Sequence, residues 1–157
     1  VDRTKIGDSQ SRPEIEADFP SLRDTSYQMT SERDPGYNCL AWSLGDTKFF
    51  WQPLPPTRGY YWPPGIPRED TVDAWAKVFE LHGYERTTSD ALEAGFEKVA
   101  IYEASDGLAG HAALQLASGA WTSKLGVGHD IEHPNPQCLE GDLYGRIVRI
   151  LKRRRPL

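Results

Sequence analysis

The chain has 157 residues, 38% hydrophobic and 26% charged, with a formal net charge of -5 at pH 7. One folded domain is expected from that size, large enough for a core without disulfide or metal staples. The acidic balance argues against nucleic-acid binding, and two cysteines, Cys39 and Cys138, are too few for a disulfide scaffold. No apolar stretch is long enough for a membrane span, so neither nucleic acid nor membrane is an expected partner. Without a signal peptide at its start, the chain has a cytoplasmic location only as a default, and oligomeric state is not readable.

Residues 1–33 read as an extended, partly disordered N-terminal arm, polar and broken by Pro13 and Pro20, with Ile15, Phe19 and Leu22 as candidate anchors on the body. A single domain follows over 34–155. It opens with the turn Asp34-Pro35-Gly36 and a short apolar helix running from Cys39 to about Gly45. Asn38 is a suitable N-cap for it. Unpaired N–H groups and the helix dipole favour a thiolate in the first turn, although most isolated cysteines are simply small buried hydrophobes.

Six of the twelve prolines lie between Pro53 and Pro67, beside Tyr60, Tyr61 and Trp62, which excludes a helix or central strand there. Such a loop is either a structural strap or a wall of a cleft beside Cys39. Glu69 to His82 is a helix by the spacing of Val72, Trp75, Ala76 and Phe79, closed by Gly83. A second short helix is expected over Asp90 to Ala94. Strands then follow at 98–102, 111–116 and 120–125 as an antiparallel meander. Residues 126–141 read as loop, 144–151 as a closing strand, and Lys152 to Arg155 as a solvated basic end. The expected fold is α+β, with an N-terminal helix carrying Cys39 packed on an antiparallel sheet of about four to five strands.

A cysteine opening a helix and a histidine opening a later strand suit nucleophilic catalysis. The imidazole takes the thiol proton and returns it to the leaving group. His111 follows Gly110, where a tight backbone turn is expected to keep its ring uncrowded. This layout resembles the papain-like cysteine hydrolases, specifically the compact bacterial NlpC-type domains acting on cell-wall peptides and amides. In those the base opens a strand like Gly110-His111-Ala112-Ala113-Leu114-Gln115-Leu116 here. The sequence is also similar to a bacterial domain family of unknown function through three stretches. They are Asn38-Cys39-Leu40-Ala41-Trp42, Trp121-Thr122-Ser123-Lys124-Leu125-Gly126 and Asp130-Ile131-Glu132-His133. The likeness covers about Asp34 to Arg153.

The resemblance implies a papain-like fold, with Cys39 as nucleophile and His111 as general base and acid. A third polar group should orient the imidazole. Where such families place it, this chain reads Thr122-Ser123-Lys124. Asp130 is therefore the choice, with Ser123 and Gln115 in reserve. The oxyanion would be held by the Cys39 N–H with Asn38 or a residue of the preceding turn. Trp42, Trp51, Tyr60, Tyr61, Trp62, Trp121 and His133 would line the substrate cleft.

The implied reaction is cleavage of an amide or peptide bond in a peptide or protein substrate through an acyl-thioester, with no cofactor and no metal. Glutamine deamidation and transglutaminase-type acyl transfer share that step. Two rivals stand beside it. His129, His133 and Cys138 are metal-ligand types, though Pro134 and Pro136 oppose the helix their spacing needs. The loop over 49–67 suits a non-catalytic module gripping a peptide or glycan. A Cys39–His111 hydrogen bond would favour the enzyme, and separate burial of the two would favour the module.

Overall fold

The structure, a computed structural model, describes residues 12–156. The element order is α1 (Arg12–Asp18), a 3-10 turn (Pro20–Asp24), β1 (Gln28–Met29), α2 (Cys39–Ser43), β2 (Phe50–Trp51), a 3-10 turn (Pro56–Arg58) and β3 (Tyr60–Tyr61). There follow α3 (Val72–Leu81), β4 (Glu85–Thr87), β5 (Phe96–Glu103), β6 (Ala109–Gln115), β7 (Trp121–Lys124), β8 (Asp130–His133), a 3-10 turn (Pro136–Leu139) and β9 (Arg146–Arg154).

Seven strands form one antiparallel sheet in the order β1-β8-β7-β6-β5-β9-β4, and β2 and β3 make a separate parallel pair. The expectation of a papain-like arrangement, a cysteine helix on four to five strands, is overturned: the sheet is larger and the helices are few and short. The strands that sequence reading missed are short. β1 has two residues, β4 three and β8 four, too few to show an alternating pattern of their own.

β8 lies in the stretch read as loop, where residues 130–133 pair with β7 in unbroken register. The expected arm is also structured from Arg12 onward, with Ile15, Phe19 and Leu22 buried; its first eleven residues lie outside the described residues. No helix forms over Asp90 to Ala94. There Lys98 Nζ and Gln115 Nε2 take the carbonyls of Ser89 and Asp90, which a helix would have used. The basic end continues β9 instead of standing in solvent, and Arg153 Nε meets Glu97 Oε1 at 2.6 Å.

β5 is buried on both faces, as befits a strand near the middle of a covered sheet. Val99, Ile101 and Ala112 face a core built with α2 and α3. Ala100, Tyr102 and Ala113 face a second core with α1, the two flanking 3-10 turns and Tyr144. Thr71 caps α3 through its side chain, and Trp75, Val78 and Phe79 bury its apolar stripe.

No helix among the described residues is long and apolar enough to cross a membrane.

Candidate active site

Cys39 is placed by Asn38. The Asn38 side-chain oxygen accepts from Ala41 N at 3.2 Å and from Trp51 N at 3.1 Å, while its amide donates to the Trp51 carbonyl at 2.7 Å. One side chain therefore caps α2 and ties it to β2. Half-buried Cys39 is thereby held in the first turn. Burial is the largest influence on its thiol and pushes the pKa up to about 12. The N–H of Ala112 opposes this, Asp70 adds to it, and the N–H groups of Leu40 and Cys39 itself also point at the sulfur and pull it down. The helix-terminus effect expected from the sequence is present, but desolvation outweighs it.

The Ala112 N–H reaches the sulfur where β6 and β7 part. They pair only at Leu114↔Thr122 and Gln115↔Trp121, so His111 to Ala113 have no ladder partner on β7. Strand alternation turns His111 to the face opposite Ala112, beside its cross-strand partner Tyr102. Its ring lies flat on Tyr144, with centroids 4.1 Å apart and planes at 2°, and Tyr102 meets it edge-on. His111 is fully buried, and neither ring nitrogen has a hydrogen-bond partner among the described residues. Burial first, then the nearby His133, holds its pKa well below the ordinary value, so the ring is neutral at pH 7.

Cys39 and His111 thus approach from the two faces of the sheet around the open edge of β6. The hydrogen bond that would have favoured the enzyme outright is absent, yet the two are not buried apart: both line one small cavity of about 30 Å³, together with Gln52, Asp70, Gly110 and Tyr144. That is room for a water or one small group. Phe50 also lines an outer groove of about 370 Å³, with Lys48, Phe49, Arg58 and Tyr60 around it. A larger groove of about 860 Å³, lined by Arg86 to Asp90, Gln137, Glu140 and Ile147 to Ile150, holds none of the candidate site residues.

The expected third member is elsewhere. Asp130 shares the α2 side of the sheet with its partner Lys124, and its Oδ2 accepts from Tyr37 Oη at 2.7 Å. Among the described residues no carboxylate hydrogen-bonds His111. The reserves are engaged as well. Ser123 Oγ pairs with His133 Nε2 at 2.8 Å, and Gln115 Nε2 donates to the Asp90 carbonyl. His133 Nδ1 donates to the Asn135 carbonyl at 2.8 Å, so in the neutral ring Nε2 accepts from Ser123. Burial lowers the His133 pKa to about 4, which keeps that ring neutral. The Asn38 side chain is consumed by its cap and is no oxyanion donor.

Most of the expected cleft is core. Trp51, Trp62, Trp121 and His133 are buried, and Trp42 Nε1 donates to Thr122 Oγ1. Tyr60 lines the outer groove and Tyr61 is exposed beside it, so the loop is a strap through Trp51 and Trp62 and a groove wall through Tyr60. Of the metal-ligand types, His133 and Cys138 adjoin at 3.4 Å, but His129 turns away to the Ser31 carbonyl. No group of three or more such ligands gathers among the described residues.

Three cavity residues escaped sequence reading. Gln52 carries a side-chain amide at the cavity, Asp70 accepts from Trp75 Nε1, and Tyr144 carries the His111 stack.

A family model described as "Domain of unknown function (DUF7689)" matches residues 28–152, a span running from β1 into β9. No curated protein and no solved structure matches the chain.

Proposed function

The chain belongs to that family, whose description names no activity, and from its side chains we propose a cysteine-dependent enzyme that cleaves amide or peptide bonds through an acyl-thioester. One observation carries the reading: an unpartnered buried imidazole and a helix-terminal thiol open on the same cavity. Leaving buried imidazole nitrogens unpaired costs stability, and such a cost is characteristic of a site kept for chemistry.

At rest the pair is thiol and neutral imidazole, because burial holds both uncharged forms. Cys39, half-buried with a single side-chain torsion, is the mobile partner; His111 is clamped between Tyr102 and Tyr144. Rotation of the thiol toward the ring lets His111 take the Sγ proton as sulfur bonds to the substrate carbonyl carbon. The carbonyl π electrons move to oxygen, where the Gln52 amide and the α2 N-terminus are the available donors. Collapse of that intermediate breaks the C–N bond, and His111 protonates the departing amine. Water then attacks the thioester with His111 again as base, releasing the acid and the free thiol.

The test is iodoacetamide labelling of Cys39 against pH, with Cys138→Ser as background. An unassisted thiol reacts as its thiolate, so its rate climbs tenfold per pH unit toward the pKa of about 12. Assistance by His111 instead gives a plateau across neutral pH, which His111→Ala removes. A Cys39 that stays inert, or reacts identically without His111, refutes the proposal.

A further inference from the structure

A catalytic imidazole needs something to fix its orientation and to stabilise the imidazolium it becomes, and among the described residues no carboxylate hydrogen-bonds His111. We infer that Tyr144 is the positioning residue: its ring fixes the plane of the imidazole and offers the electron-rich face on which the transient imidazolium rests. The inference builds on the proposed cysteine chemistry.

Two independent features support it. The first is the ring geometry. Near-parallel rings with centroids 4.1 Å apart make an ordinary stacking contact while both are neutral. Protonating one ring turns the same contact into a cation–π attraction, strongest where water is excluded. The stack therefore favours the state formed during proton transfer over the resting state, which is what a catalytic support must do.

The second is how firmly Tyr144 is held. A Cβ on Gly110 would lie 2.2 Å from the Tyr144 carbonyl oxygen, and one on Gly145 would lie 1.8 Å from that of Glu103. Gly145 also sits at φ 81°, a left-handed conformation that disfavours other residues. Two glycines thus press the Tyr144 backbone against β5 and β6, so the ring cannot slide off His111. The Tyr144 hydroxyl has no hydrogen-bond partner among the described residues, leaving the ring face as the feature in use. The titratable groups around His111 are Tyr102 from β5, Tyr144 from the segment before β9 and His133 from β8, with Cys39 and Asp70 sharing the cavity. Asp70 is a carboxylate, but it accepts from Trp75 Nε1 and makes no hydrogen bond to the imidazole.

The experiment is the Cys39 labelling profile, again with Cys138→Ser, in Tyr144→Phe, Tyr144→Met and a graded fluorophenylalanine series at 144. Near-ultraviolet circular dichroism checks the fold of each. Tyr144→Met fills the space without a π face and should lower the His111-dependent plateau about tenfold, moving its acid-side inflection to lower pH. Tyr144→Phe should restore the plateau to within about twofold. Successive fluorination drains the ring face at nearly constant size, so the plateau should fall stepwise even where Tyr144→Met does not fold. A plateau insensitive to fluorination, yet abolished by His111→Ala, overturns the role of Tyr144 and leaves the proposed function standing. A wild-type Cys39 that never depends on His111 overturns both.

Discussion

Gly110→Ala adds one methyl group at the start of β6. That methyl would sit 2.2 Å from the carbonyl oxygen of Tyr144, 3.0 Å from its carbonyl carbon and 3.2 Å from its Cα. All three are backbone atoms, so no rotamer change relieves the overlap. The segment before β9 must move off β6 by about 1 Å to regain ordinary van der Waals separation. Overpacking of this kind costs about 1–3 kcal/mol, and the upper end is expected because backbone has to shift. At about 2–4 °C per kcal/mol for a domain of this size, the melting temperature should fall by about 6–12 °C. Urea unfolding followed by tryptophan fluorescence measures the loss directly. NMR of the imidazole protons reports whether the His111 ring still sits under the Tyr144 ring current. Stability within about 0.5 kcal/mol of wild type, with unchanged imidazole shifts, would refute the close approach and the stack that depends on it.

Two further outcomes follow from the buried charges. Burial lowers the folded-state pKa of both His133, to about 4, and His111, below the ordinary value of 6.5. The unfolded chain therefore binds more protons below pH 6.5, and stability should decline as pH falls from 6.5 toward 4, by up to about 1.4 kcal/mol per histidine per unit. Asp130, whose pKa burial raises, works in the opposite direction at the acid end, so pH 5 to 6.5 is the cleanest window. A urea midpoint flat across it would contradict the burial of both rings. Asp130→Asn leaves Lys124 and Tyr37 without their carboxylate and should cost about 1–3 kcal/mol, while His111-dependent labelling of Cys39 stays unchanged. Loss of that labelling in a folded Asp130→Asn protein would restore Asp130 to the catalytic group.

Local rules made much of the molecule legible. The Asn38 cap, the α3 stripe and the β5–β6–β7 meander all follow from neighbours a few residues apart. What failed to show depends on register and distant partners. Nothing local to Asp130 reveals that it shares a sheet face with Lys124 and reaches Tyr37, 93 residues away. The parting of β6 from β7, which frees Ala112 N–H for Cys39, is a property of two strands together. Gly110 as a residue type suggests a tight turn, but its φ is not positive, and its role is to admit a distant carbonyl. Tyr144 stood in plain view, but its partner lies 33 positions earlier, beyond any periodic pattern.

The Asn38 amide has a mechanical consequence. Its contacts are divided between the first turn of α2 and the backbone of Trp51, at the start of the proline-rich strap. The strap and the nucleophile therefore share a single rivet. A ligand in the groove that Phe50 and Tyr60 line would press on one end of that joint, and the sulfur of Cys39 rides on the other. Lengthening or loosening the strap would show itself first as play in the thiol's position, well before any loss of the sheet.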